Sequence, residues 1–235
     1  VGVRDFIIGE DSERHLPATI WYPAIIPEGA EEQTTYQQGL FTAPGNALKD
    51  AESDLSRGPY PLVIFSHGNN GLRYQSTYLT EHLASYGFVV IAIDHPGNTL
   101  QDALASGGND DRITESFALR PIDVTRAIDY AEQNETDLVD INRIALMGHS
   151  FGGWTALTTS GLPINFQQIA AECQTNSLPS IEDLCFQLNL QGEIAGIRGL
   201  DTIPGGAWPV ISDPRIKATV ALAPWDGPSF DRTTL

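Results

Sequence analysis

Positive charge is scarce in this chain. Its 235 residues contain 13 Lys and Arg against 30 Asp and Glu, for a formal net charge of −17 at pH 7. A protein this acidic repels phosphate backbones and anionic membrane surfaces, so no nucleic-acid partner is expected. Long hydrophobic runs are missing too, because the longest, at 88–93, is far too short to cross a bilayer. The sequence therefore predicts a globular chain with no membrane span.

Cysteine is nearly absent, since Cys173 and Cys185 are the only two. Neither has a neighbouring His or a third Cys, so no metal site is predicted, and no glycine motif of the phosphate-binding type indicates a cofactor. The two cysteines either pair as a disulfide, which is typical of an oxidising compartment, or stay as free thiols. The chain begins at Val1 rather than Met, which fits a removed signal peptide. These features predict an extracellular or periplasmic location.

Histidine is absent after position 149, because the five histidines lie at positions 15, 67, 82, 95 and 149. The absence matters because residues 148–153, Gly-His-Ser-Phe-Gly-Gly, contain the pattern Gly-x-Ser-x-Gly. Between a strand and a helix, this pattern presents a nucleophilic serine on a sharp turn. In the fold that carries it, the base that activates the serine follows it in the chain. Ser150 is therefore a candidate nucleophile without its expected base.

The segments around this motif are typical of an α/β fold. Strand-like pieces at 2–8 and 15–22 predict an antiparallel hairpin, and the polar stretch 23–59 that follows predicts a long loop. Apolar runs then predict strands at 61–65, 88–94, 143–147 and 215–222, of which 61–65 is expected to be a central parallel strand covered on both faces. Helical patterns separate these runs, which favours a doubly wound, mostly parallel sheet in a single domain spanning 1–235.

Residues 162–212 interrupt this alternation of strands and helices. The segment is too long for a simple connection, so we interpret it as a cap inserted over the site. Trp208 within it is a candidate for shaping an apolar substrate pocket.

The serine motif supplies part of the chemistry of acyl transfer. Ser150 would attack the substrate and form an acyl-enzyme, while the backbone N–H of Phe151 would point at the oxyanion that develops. A second N–H donor is expected from the loop after the preceding strand, where Asn69 is the best placed residue. Its neighbour Asn70 is a candidate substrate contact.

Several motifs together resemble a known group of enzymes. They are residues 1–4 with 21–23 (Trp-Tyr-Pro), 65–68 (Phe-Ser-His-Gly), 94–98 (Asp-His-Pro-Gly-Asn), 120–123 (Arg-Pro-Ile-Asp) and 148–153. In this combination the chain resembles the dienelactone-hydrolase-like esterases, a group similar to the platelet-activating-factor acetylhydrolases and to bacterial cutinases. The resemblance implies an α/β-hydrolase fold and a serine carboxylic-ester hydrolase, with Ser150 as nucleophile and Asn69 and Phe151 as oxyanion donors.

The segment 221–225, Ala-Leu-Ala-Pro-Trp, is similar to one that follows the sixth strand in cutinase-like enzymes. That similarity implies that Trp225 forms an aromatic wall of the substrate cleft, and a tryptophan in the core or at the rim is the alternative. Acetylhydrolases of the platelet-activating-factor type carry their catalytic Asp in this segment, where Ala223 stands here. The resemblance therefore favours the cutinase arrangement, with the acid after a later strand, and Asp226 is an alternative acid.

None of the five histidines is expected to serve Ser150. His149 should point beneath the turn, because neighbouring strand residues face opposite sides of a sheet. His67 should hold the oxyanion loop, which is the loop after the strand 61–65 that carries Asn69. His95 ends a strand two strands away, at roughly 10 Å for the usual strand spacing. The acid, the base and the last two strands are therefore expected beyond residue 235, in further residues or on a second polypeptide. The other hypothesis is a catalytically inactive hydrolase fold that serves as a binding module.

Overall fold

The strands and helices follow the alternation that the sequence predicts. The computed structural model describes residues 1–30, 33–108, 112–175, 185–225 and 230. The strands are β1 (Gly2–Ile8), β2 (Leu16–Tyr22), β3 (Thr34–Gln38), β4 (Phe41–Gly45), β5 (Leu48–Lys49), β6 (Tyr60–Ser66), β7 (Val89–Ile93), β8 (Val139–His149) and β9 (Ile216–Leu222). The helices are α1 (Thr77–Ser85), α2 (Leu100–Ala105), α3 (Ile113–Asn134), α4 (Phe151–Thr159), α5 (Phe166–Thr175) and α6 (Gln191–Ile197), with a 3₁₀ turn at Gln187–Asn189.

Within the described residues, seven strands form one sheet in the order β5-β1-β2-β7-β6-β8-β9. The strands β7, β6, β8 and β9 run parallel to their neighbours in this order. Parallel strands need crossover helices that cover the sheet, which is why β6 and β7 are apolar along most of their length. Ile64 pairs with Ile91 on one side and Leu146 on the other, within the largest buried cluster. The predicted mostly parallel sheet is confirmed.

An antiparallel hairpin opens the sheet, as predicted. β1 and β2 pair from Gly2 opposite Tyr22 to Ile8 opposite Leu16, and β2 then pairs antiparallel with β7. The hairpin therefore reaches the parallel strands through β2 and leaves β1 to pair with β5 on its other side.

The prediction of a loop across 23–59 is wrong over part of its length. β3 and β4 form a second antiparallel hairpin there, and β5 follows it. A distant contact fixes this hairpin, because the indole N–H of Trp21 donates to the Tyr36 hydroxyl at 2.8 Å and Tyr36 is buried. The Tyr36 hydroxyl in turn donates to Glu81 Oε1 at 2.5 Å.

The segment 162–212 carries α5, the 3₁₀ turn and α6 in its described part. Its apolar side chains join α3 and α4 in one buried cluster, which includes Phe117, Phe151, Trp154, Phe166, Ile194 and Trp208. Cys173 and Cys185 form a disulfide with their Cα atoms 5.7 Å apart, so the paired alternative is the one present. This bond ties the end of α5 to the start of the 3₁₀ region.

Candidate active site

Ser150 occupies the tight turn between β8 and α4. Its backbone has φ 54° and ψ −117°, a conformation that residues other than glycine rarely adopt. The turn closes only because glycines flank it. A Cβ on Gly148 would stand 2.0 Å from the Gly152 carbonyl oxygen, and a Cβ on Gly152 would stand 2.0 Å from the Ser66 carbonyl oxygen. The local geometry is that of a nucleophile elbow.

Two backbone hydrogen bonds hold the elbow against the end of β9. The Ser150 N–H donates to the Leu222 carbonyl at 2.9 Å, and the Trp225 N–H donates to the Ser150 carbonyl at 2.9 Å. The Ser150 side chain does not cap α4 and instead lines a cavity. Ser150 therefore borders the space in which a substrate would lie.

The cavity beside Ser150 has a volume of about 290 Å³. The side chains that line it with Ser150 are Asn69, Ile113, Phe117, Phe151, Phe186 and Trp225. All of these except Asn69 are apolar, and the Trp225 ring lies 5.6 Å from that of Phe151 and 5.7 Å from that of Phe117. Such a lining suits an apolar group on the substrate, with a few polar groups to orient it.

The loop that follows β6 brings Asn69 to this cavity. A Cβ on Gly68 would lie 3.5 Å from Ser150 Cβ, so the loop passes directly beside the elbow. Gln75 fixes it, because its Oε1 accepts from the Gly68 N–H at 2.9 Å while its Nε2 donates to His149 Nδ1 at 2.8 Å. Asn69 and Phe151 thus lie on two sides of Ser150, each on a backbone segment that could donate an N–H.

The histidines near the elbow are engaged with other partners. His149 accepts from Gln75, and the His67 Nδ1–H donates to the Gly68 carbonyl at 2.7 Å. His67 Nε2 accepts from the His95 backbone N–H at 3.1 Å, which fixes the tautomer of His67. Burial, reinforced by the Arg120 charge, holds the pKa of His67 well below its ordinary value, so the ring is neutral at pH 7.

A second serine, histidine and aspartate set lies beneath the oxyanion loop. The Ser66 hydroxyl donates to His95 Nε2 at 2.9 Å, and His95 Nδ1–H donates to Asp123 Oδ2 at 2.9 Å. Arg14 binds both oxygens of Asp123, at 2.8 and 2.7 Å. All three members of the set are buried, and none lines the cavity at Ser150. This set was missed from the sequence, although its residues stand in the motifs at 65–68, 94–98 and 120–123 that carry the resemblance.

The other candidate residues lie in different surroundings. Trp225 lines the cavity, whereas Trp208 is buried against Phe166, with ring centroids 4.7 Å apart, and is not part of the lining. Asn70 has φ 50°, and Asn98 Nδ2 lies 3.4 Å from its Oδ1. Asp226 lies outside the described residues.

Sequence reasoning missed the contributions of α3 and of the residue after Cys185. Ile113 and Phe117, about one turn apart on α3, line the cavity, and Phe186 lines it from the segment 162–212. Their spacing was a signal for a helix face, but nothing in the sequence showed which face meets Ser150.

In the part of the chain that the structure describes, no three His, Cys, Asp or Glu side chains are grouped to hold a metal ion. Across the same residues, no helix has the length and apolar character needed to span a bilayer.

The fold and the elbow together define an α/β-hydrolase. The Alpha/beta hydrolase family matches residues 63–232, and the chain belongs to this family. A platelet-activating factor acetylhydrolase from Bos taurus is 27% identical over 140 residues, which cover 43% of this chain and 32% of the relative. Cutinase est1 from Thermobifida alba is 35% identical over 98 residues, covering 40% of this chain and 28% of the relative.

A solved structure shares the fold. The ferulic acid esterase from Streptomyces cinnamoneus has 24% sequence identity and a TM-score of 0.50, covering 66% of this chain and 53% of the esterase. The chain spans about a third of the length of the curated relatives it matches. These similarities lend no support to the expected second polypeptide.

Proposed function

We propose that the protein is a serine carboxylic-ester hydrolase that forms an acyl-enzyme on Ser150. The observation that carries the proposal is the strained elbow, which turns Ser150 toward an apolar cavity between Asn69 and Phe151. Relatives named cutinase and acetylhydrolase support a carboxylic ester as the substrate.

The chemistry proceeds in two halves. Ser150 Oγ attacks the ester carbonyl, the alcohol leaves, and water then releases the acid from the acyl-enzyme. The negative charge on the carbonyl oxygen is stabilised by the backbone N–H groups of Phe151 and Asn69. The N-terminus of α4 directly behind Ser150 adds a favourable dipole for that charge.

The base is proposed to lie outside residues 1–235. The acid that orients this base is proposed to come from the same region. Support comes from the bonding of the nearby histidines, since His149 is held by Gln75 and His95 by Asp123. His67 is also buried and bonded to the Gly68 carbonyl. Asp226 remains the alternative acid proposed from the sequence.

The acyl group is proposed to be small and apolar or aromatic. The cavity of about 290 Å³ and its aromatic walls, Phe117, Phe186 and Trp225, support this choice.

An extracellular or periplasmic location is also proposed, supported by the Cys173–Cys185 disulfide.

Labelling and turnover test the proposal together. An organophosphate should modify Ser150 and not the buried Ser66, as read by peptide mass spectrometry. Ser150→Ala should abolish turnover of p-nitrophenyl acetate and benzoate, while the exposed Ser85→Ala should keep it. The test uses the full-length protein, because the proposed base lies outside residues 1–235. Turnover retained in Ser150→Ala would reject the proposal, and a full-length wild-type protein with neither labelling nor turnover would favour the binding module.

A further inference from the structure

Arg120, on α3, is a fully buried cation that contacts the loop after β6 and the Phe151 ring. Its guanidinium donates to the His67 carbonyl and, at 3.2 Å, to Asn98 Oδ1. The guanidinium carbon also stands 4.6 Å from the centre of the Phe151 ring. No carboxylate among the described residues forms an ion pair with Arg120 within 4 Å, so its contacts with the site are not a by-product of a salt bridge.

Asn98 carries the contact from Arg120 to the oxyanion loop. Its Oδ1 accepts from Arg120, and its Nδ2 donates to Asn69 Oδ1 at 2.7 Å. Because guanidinium can only donate, the orientation of the Asn98 amide is fixed by its two partners. Asn98 is itself buried and anchored by its backbone N–H, which donates to the His95 carbonyl at 3.0 Å.

We propose that Arg120 and Asn98 are positioning residues that set the two oxyanion donors relative to Ser150, an inference that rests on the proposed function. Asn69 is held through Asn98, and Phe151 is held through its ring against the guanidinium. Asn69 lies in a turn closed by one backbone bond, from the Gly71 N–H to the Gly68 carbonyl at 3.1 Å, and the Asn98 side chain adds a bond to Asn69 itself. An oxyanion hole needs this precision, since displacements of about 1 Å cost about 100-fold in rate.

The charge of Arg120 serves the same end. A guanidinium stays protonated at neutral pH, and inside the protein its field is weakly screened. Its charge therefore favours the negative charge that develops on the carbonyl oxygen of the substrate. An apolar residue at 120 would fill the volume but leave the His67 carbonyl and Asn98 Oδ1 without this donor.

Asn98→Asp tests the contact between Asn98 and the oxyanion loop while Arg120 stays in place. Aspartate keeps an acceptor for Arg120 but cannot donate to Asn69 or Asn70, so both side-chain bonds to the loop are lost, and its negative charge pairs with the Arg120 guanidinium. Arg120→Met removes both contacts at similar volume. Arg4→Met is the matched control, because Arg4 forms an ion pair with Glu135 at 2.5 Å and contacts neither the loop nor the elbow.

The expected result is a fall in kcat of about 10- to 100-fold for Asn98→Asp and Arg120→Met, with KM changed by less than about threefold. Affinity for a trifluoromethyl ketone, which forms an oxyanion on Ser150, should fall by the same factor as kcat. Amide hydrogen exchange of residues 67–71 should become faster in both variants. Arg4→Met should change none of these three quantities.

Two outcomes overturn the inference. If Asn98→Asp is folded and keeps kcat and inhibitor affinity within about twofold of wild type, the inference is overturned. Unchanged exchange at residues 67–71 also overturns it, whatever the activity. If Arg120→Met does not fold, Asn98→Asp alone decides. A wild-type protein without Ser150-dependent turnover sinks the proposed function instead, and the exchange measurement still reports on the loop.

Discussion

Gly152 is the point at which the helix after Ser150 comes closest to the end of the neighbouring strand β6. The carbonyls of Ser66 and His67 approach its Cα so closely that a Cβ would stand 2.0 and 2.7 Å from them. Both clashes are with backbone, which cannot move aside as a flexible side chain can. The Gly-x-Ser-x-Gly pattern is therefore a packing requirement at this position as well as a chemical one.

Gly152→Ala is expected to lower the free energy of unfolding by at least about 3 kcal/mol, because the clash must displace α4 or the oxyanion loop. Urea unfolding followed by circular dichroism measures the change. Gly196→Ala is the control, since a Cβ there meets nothing within 4 Å and α6 should gain about 0.5 to 1 kcal/mol from the better helix former. A Gly152→Ala protein as stable as wild type would contradict the packing argument.

Phe186 is the apolar lining residue most open to solvent, at 48% exposure. Phe186→Ala is expected to raise KM for p-nitrophenyl benzoate by about 5- to 30-fold, which corresponds to about 1 to 2 kcal/mol of lost ring contact, with kcat little changed. Ile203→Ala is the matched control, because Ile203 is 49% exposed in the same segment and does not line the cavity. Equal KM values for the two variants would remove Phe186 from the substrate site.

Among the elements, α5 and the 3₁₀ region are joined by the Cys173–Cys185 disulfide across a separation of 12 residues. Replacing both cysteines with serine is expected to lower the free energy of unfolding by about 3 kcal/mol, from the chain entropy of a loop of this size. Urea unfolding with and without dithiothreitol measures the effect. The reductant should destabilise the wild type and leave the double variant unchanged, and an effect on both would assign the loss to something other than this bond.

The sequence reveals those elements whose stability is decided locally. β6 and β7 are continuous apolar runs, and the elbow is a six-residue motif, so both were predicted correctly. The β3–β4 hairpin was missed, because its strands are short and polar and its anchor is Tyr36 bonding to Trp21 and Glu81. The faces that α3 turns to the cavity and to the oxyanion loop were missed for the same reason, since tertiary packing sets them.

At the scale of the whole molecule, part of the scarce positive charge is paired with buried carboxylates. Arg14 binds Asp123, Arg73 binds Asp94, and Arg215 binds Asp213, and each of these carboxylates is buried. Each pair removes one positive and one negative charge together, so the net charge of −17 is carried by the remaining side chains. The outer surface is therefore acidic, and the interior depends on a few neutral or paired titratable groups.

His67 and His95 make the stability of the whole molecule depend on pH. Burial, with the nearby Arg120 charge, holds the pKa of both rings well below the ordinary 6.5, so the folded protein keeps them neutral. The unfolded chain takes up these protons as pH falls through about 6.5, and the folded protein does not. Their contribution is thus fully present above about pH 6.5 and is lost at lower pH, by up to about 1.4 kcal/mol per pH unit for each histidine.

Urea unfolding from about pH 7.5 to about pH 5 measures this loss as a slope. His67→Gln and His95→Gln should each be less stable at the upper pH, because hydrogen bonds are lost, but each should show a shallower slope than wild type. His15→Gln is the control variant, because His15 is exposed. The slopes of wild type and of the two buried variants would be equal only if acid destabilises the protein through its carboxylates alone. Equal slopes would therefore show that His67 and His95 do not cause the loss of stability at low pH.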